Sequence, residues 1–104
     1  MNGSGYKMGA VMSVILPARL DLATVTEVAE QIIAWRGQPL VIDASELRHL
    51  GGLGLQLLLA VQATWQADGL PFAVIHPSDA YELGLRTFGL ETGHFANHTA
   101  SDAA

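Results

Sequence analysis

Residue types able to do chemistry concentrate between Val41 and Trp65, where a β-branched run ends in Asp43, passes Ser45 and Glu46, meets glycines at 51, 52 and 54, and becomes leucine-rich. The order is strand, loop, helix start. Amides in the first turn of a helix lack intrahelical partners and carry partial positive charge, so a glycine-rich approach exposes them to whatever comes from outside. Gly51-Gly52-Leu53-Gly54 is followed by no Lys-Ser/Thr pair, which excludes a P-loop, and its glycine spacing is wrong for the dinucleotide fingerprint. The stretch reads as a tight loop where helix and strand approach closely.

The other candidates carry little chemistry. Asp43 ends a strand with no nucleophile or second carboxylate nearby in sequence, and Ser45 suits the hydrogen-bonding position of the turn that follows. His49 reads as a surface loop residue. His94 and His98 are four apart but lie in a segment without helical signal or a third carboxylate ligand, so a zinc site is not expected. Trp35 and Trp65 suit helix faces packed on a sheet. With no triad, metal cluster or paired acids, the expectation is a protein that is not an enzyme and takes no cofactor.

The 104 residues are 50% hydrophobic, which suits one domain with a single core. Only 14% are charged, against about 25% on average, leaving a surface on which an apolar docking face is expected. Ten acidic residues against five basic ones give a net charge of -5, which repels a phosphate backbone and argues against nucleic acid. No cysteine is present, which excludes disulfides and thiolate metal sites and fits a reducing cytoplasm. No apolar run reaches the roughly 18 residues of a membrane span and no signal pattern opens the chain, so a cytoplasmic protein without membrane insertion is expected.

The elements follow from periodicity. Residues 1–10 read as a loose leader in which Tyr6–Met8 could add an edge strand. Val11–Leu16 is strand-length, and Pro17 ends it. Asp21 is placed to cap a helix from Leu22, with apolar positions 22, 25, 28, 29, 32 and 33 inward, Gly37 stopping it and Pro39 barring continuation. Leu40–Asp43 is a strand. A helix from Gly52 to Asp68 follows, with Gly69 beyond its end; Leu53, Leu57, Ala60, Val61 and Thr64 make one stripe, while Leu55, Leu58 and Leu59 lie outside it. A helix apolar almost all round is covered on two sides, so the second falls to a partner or to a second copy in a homodimer. Phe72–Ile75 is a strand, and Ser78 caps a last helix with Tyr81, Leu85 and Phe88 inward. Residues 91–104 read as a mostly disordered tail. Strands alternating with helices make the class α/β.

The pattern resembles a STAS domain, the fold of anti-sigma factor antagonists. Asp43-Ala44-Ser45, then Gly51-Gly52-Leu53-Gly54 and a leucine-rich helix, then Asp68-Gly69, an apolar strand and Phe88-Gly89-Leu90 resemble its signature of Asp-x-Ser followed by Asp-Ser-Ser-Gly-Leu-Gly. Leu20, Asp21 and Thr24 resemble its early helix start, and the likeness covers residues 11–90. It implies a STAS-like sandwich, a mixed sheet of three to four strands with about three helices. The acceptor is missing: aligned on Gly52-Leu53-Gly54, His49 stands for the aspartate, Leu50 for the phosphorylated serine and Gly51 for the second serine.

The resemblance is closest to compact, serine-less STAS proteins, and Ala63–Gly69 inclines it toward the bacterial chemotaxis type. It implies an adaptor without its own phosphorylation switch, binding a chemotaxis histidine kinase or an anti-sigma-type kinase through Asp21, Thr24, Ser45, His49, Leu50, Gly51, Gly52, Leu53, Gly54, Leu55 and Leu59. Two alternatives stand beside it: a subunit of a lipid-transport ABC system, and a regulatory domain binding a nucleotide or small molecule at the glycine-rich helix start.

Overall fold

The computed structural model describes residues 13–96. Along them run β1 (Val14–Ile15), β2 (Arg19–Leu20), α1 (Val25–Ile33), β3 (Leu40–Asp43), β4 (His49–Leu50), α2 (Gly52–Ala67), β5 (Phe72–Ile75) and α3 (Asp79–Thr87). β1, β3 and β5 form one sheet in that order, and β2 pairs with β4 in a second. Parallel strands need crossovers, which α1 and α2 supply in turn. The expected α/β sandwich with a small sheet and three helices is present. All ladders among the described residues are parallel; the antiparallel member of a mixed sheet is not among them, and the leader at 1–10, with Tyr6–Met8, lies outside them.

Alternation at period two sorts the main sheet's side chains. Val14, Ile42 and Val74 stand in one row across it and Leu40 and Phe72 in the next, all buried. α1 contributes Val28 and Ile32 to the core, and α2 contributes Leu58, Val61 and Trp65. α1 begins three residues later than its apolar pattern suggests. Asp21 makes a separate turn, its carboxylate accepting from the Ala23 amide at 3.0 Å and its own amide donating to Thr24 Oγ1 at 3.1 Å. Thr24 is therefore the N-cap, and Leu22 and Ile33, expected inward, are exposed.

The rotation of α2 also differs from the expected stripe. Its buried side is Gly54, Leu55, Leu58, Val61, Gln62 and Trp65, whereas Leu53 is exposed. Leucines on nearly every side leave the pattern undecided, and two residues decide it. Trp65 is buried and its indole Nε1 donates to the Gln38 carbonyl at 2.7 Å; Gly54 faces Leu20 and Leu50 without room for a side chain. Leu57 and Thr64 line a groove of about 270 Å³ shared with Ala29 and Ile33 of α1.

The tail is not all loose. Phe95, assigned to it by sequence, is fully buried, its carbonyl accepts from the Val74 amide at 2.8 Å, and its ring meets Phe72 edge-on at 6.2 Å. The rest of the expected tail, 97–104, lies outside the described residues.

A tight point joins the last two helices to the small sheet. A Cβ at Gly84 of α3 would stand 2.7 Å from Leu50 Cβ, and one at Gly54 would stand 2.9 Å from Leu20 Cδ2 and 3.0 Å from Leu50 Cδ1. Alanine would gain up to about 1 kcal/mol in helix propensity, but overpacking costs about 1–3 kcal/mol. Gly84→Ala meets an atom fixed to the backbone, whereas Gly54→Ala meets Leu20 Cγ and Cδ2 and Leu50 Cδ1, side-chain atoms beyond Cβ that a change of χ angle can move. Urea denaturation is expected to show Gly84→Ala clearly destabilised and Gly54→Ala less so; a neutral Gly84→Ala would refute the wedge.

Tyr81 is buried, and its hydroxyl has no hydrogen-bond partner among the described residues. Burial pushes its pKa up, with the charge of Glu82 adding to the effect. Because an unsatisfied buried hydroxyl costs about 1–3 kcal/mol, Tyr81→Phe is expected to hold or raise the thermal midpoint, and a large drop would reveal a missed bond.

Candidate functional site

The loop after β3 is held by its own polar side chains. Asp43 Oδ1 accepts from the Ser45 amide at 2.8 Å, closing an Asx turn. Its Oδ2 lies 3.2 Å from Nδ1 of His76, an exposed residue in the left-handed region at φ 53°. The Ser45 amide and hydroxyl hold the Asp43 carboxyl below its ordinary value against partial desolvation, and His76 adds to the effect. Ser78 caps α3 by accepting from the Tyr81 amide at 3.1 Å and donates to the Leu47 carbonyl at 2.7 Å. Asp43, Ser45 and Ser78 therefore fix the loop leading to β4.

β4 then brings the glycine stretch to α3. The amides of Arg48 and His49 both donate to the Ala18 carbonyl, and the pairing of Leu20 with Leu50 turns the Leu50 side chain inward. Gly51 is the N-cap of α2 in extended conformation, with no side-chain cap and no acid in the first turn. His49 lies over Gly51, and Phe88 lies over Gly52, its ring tip 3.9 Å from where a Cβ would stand.

Between these segments lies a recess of about 290 Å³, with Arg48, His49, Leu50 and Gly51 on one wall and α3 with Phe88 on the other. Leu83 and Phe88 on that second wall are 60% and 47% exposed. Phe88, expected inward as a helical residue, is instead the C-cap: α3 ends at Thr87, the backbone turns at φ −95°, ψ 12°, and the ring is carried outward. Leu83 and Phe88 thus present apolar surface together at a concave part of the molecule.

The residues nominated by sequence divide accordingly. His49, Gly51 and Gly52 gather at the recess, and Ser45 is exposed on the loop before it. Leu50, Gly54 and Leu55 are buried, although Leu50 also lines the recess. Asp21 and Thr24 serve their own turn, with Thr24 Oγ1 donating to the Arg19 carbonyl at 2.7 Å. Leu53 and Leu59 are exposed, but six positions apart they stand about 120° from one another around the helix. Arg48, Leu83 and Phe88 were missed; the one available signal was Leu83, an apolar residue off the Tyr81–Leu85 stripe. His94 lies against the Phe95 ring at 4.7 Å, and His98 is outside the described residues. Among the described residues no group of three His, Asp or Glu is placed to hold a metal, and no helix is long and apolar enough to cross a membrane.

The result is a parallel α/β domain whose glycine-rich helix start adjoins an open recess with apolar walls. The family model described as Mlab, STAS domain matches residues 7–96, and the chain belongs to the STAS-domain family. Among curated proteins it is similar to Osmosensory protein A of Mycobacterium tuberculosis (strain ATCC 25618 / H37Rv), 30% identical over 76 residues, which cover 70% of this chain and 48% of that protein. The chain thus spans about half the length of that relative. No solved structure gives a significant match.

Because the folded-state pKa of Asp43 is lowered, the stability it contributes is present above the ordinary value of 3.8 and lost as pH falls through the lowered one. Wild type is therefore expected to exceed Asp43→Asn in urea stability at pH 7, with the difference shrinking below about pH 4. A difference independent of pH would show that the carboxylate's charge plays no part.

Proposed function

We propose that this STAS-domain protein is a non-enzymatic adaptor that docks a signalling protein on the recess face without a phosphorylation switch of its own. One observation carries the reading. At the position where the family resemblance puts the phosphorylated serine stands Leu50, 5% exposed, while Leu83 and Phe88 beside it are open. Phosphorylation elsewhere in such a family would add nearly two negative charges and change which partner binds; a buried leucine offers no acceptor, so docking is constitutive or the switch lies on the partner.

A chemotaxis histidine kinase or an anti-sigma-type kinase in the cytoplasm fits this role. The name of the mycobacterial relative, an osmosensory protein, supports signalling as the setting. The net charge of -5 speaks against a nucleic-acid partner.

The test is affinity capture from the native cytoplasm with the intact chain, comparing Leu83→Asp and Phe88→Asp with Leu22→Asp, which alters an exposed leucine in the turn before α1 instead. A kinase held by wild type and Leu22→Asp but lost by the other two is the expected result. A transport ATPase with the same dependence would replace signalling by a transporter-subunit role, and capture indifferent to both substitutions would remove the docking face.

A further inference from the structure

We propose that the recess takes a peptide segment that is both acidic and apolar, an aspartate or glutamate set against Arg48 beside a leucine- or phenylalanine-like side chain on Leu83 and Phe88. This deepens the adaptor reading and rests on it. The argument starts from the arginines. Arg19 is paired with Asp21 at 3.4 Å and Arg36 with Asp68 at 3.0 Å, whereas Arg48 and Arg86 make no ion pair among the described residues. Arg48 lines the recess, no carboxylate lines it with Arg48, and Arg86 stands in the last turn of the helix that carries Leu83.

A segment seated in the recess meets Arg48 together with Leu83 and Phe88, because all three line it. Taking a guanidinium out of water without a counter-charge is costly, and an aliphatic or basic side chain there would leave it unpaired or opposed. An aspartate or glutamate satisfies it, and Arg suits the role because its planar fork can hold both carboxylate oxygens. The first turn of α2, which has no acid of its own, adds partial charge of the same sign at the mouth. Since the whole chain carries -5 and the first turn of α3 holds Asp79 and Glu82, Arg48 contributes specificity within the recess more than long-range attraction.

The test is a selection from a displayed library of random short peptides against the intact protein, with binding of the enriched peptides then measured on Arg48→Ala, Arg48→Glu, Leu83→Ser and Phe88→Ser. All three positions are exposed, and each of the four variants is first shown to melt like wild type. The expected result is enrichment of Asp or Glu next to Leu or Phe, roughly tenfold weaker binding to Arg48→Ala, and selection of basic peptides by Arg48→Glu. Purely apolar peptides that depend on Leu83 and Phe88 but not on Arg48 would overturn the acidic preference and leave the adaptor face standing. Peptides indifferent to all three residues, or no enrichment at all, would overturn both.

Discussion

Everything else in this fold depends on how closely α2 and α3 approach Leu50. Its side chain fills the space between Gly54 and Gly84, with Leu20 of the paired strand closing the third side. Burying one leucine yields about 1.5–3 kcal/mol, but the geometry matters more than that sum, because neither helix could come so near if it carried a Cβ. The wedge sets the distance between the start of α2 and the body of α3, and so the width of the recess they enclose with Arg48. A phosphorylated side chain in its place would be a charge in an apolar contact, which protein interiors do not hold unpaired.

The polar residues of the site serve the same end. Asp43 and Ser78 hold the two ends of the β3–β4 loop, one through the Ser45 amide and His76, the other through the Leu47 carbonyl. They fix a rigid support on which Arg48 and His49 are displayed, and loops positioned by a rigid scaffold are where binding residues concentrate.

Much of the scaffold was legible because its local signals agree with its tertiary ones. Leu40–Asp43 and Phe72–Ile75 are β-branched or aromatic runs of strand length between turn residues, and both are strands with those bounds. Gly69 at φ 70° and Ser78 at the start of α3 end and begin helices for reasons local to the backbone. β2 and β4 have two residues each, too few for any periodicity, and exist because they pair with one another. The rotation of α2 was illegible because leucine surrounds it, and the choice falls to Gly54 and Trp65 through contacts distant in sequence. The candidate site suffered most: the glycine stretch was recognisable, but whether Leu50 points in or Phe88 points out is decided by strand pairing and by one turn of backbone after Thr87.

Phe95 carries a consequence of another kind. β5 lies at the end of the main sheet, and its free side is shielded by the Phe95 carbonyl on the Val74 amide and by the ring beside Phe72. A polypeptide trimmed after Leu90 would keep every strand and helix of the described residues, yet it would bare an apolar strand margin with the Val74 amide unpaired, the arrangement that recruits other chains into intermolecular sheets. A shortened form that keeps the margin of β5 covered therefore has to extend past α3 as far as Phe95.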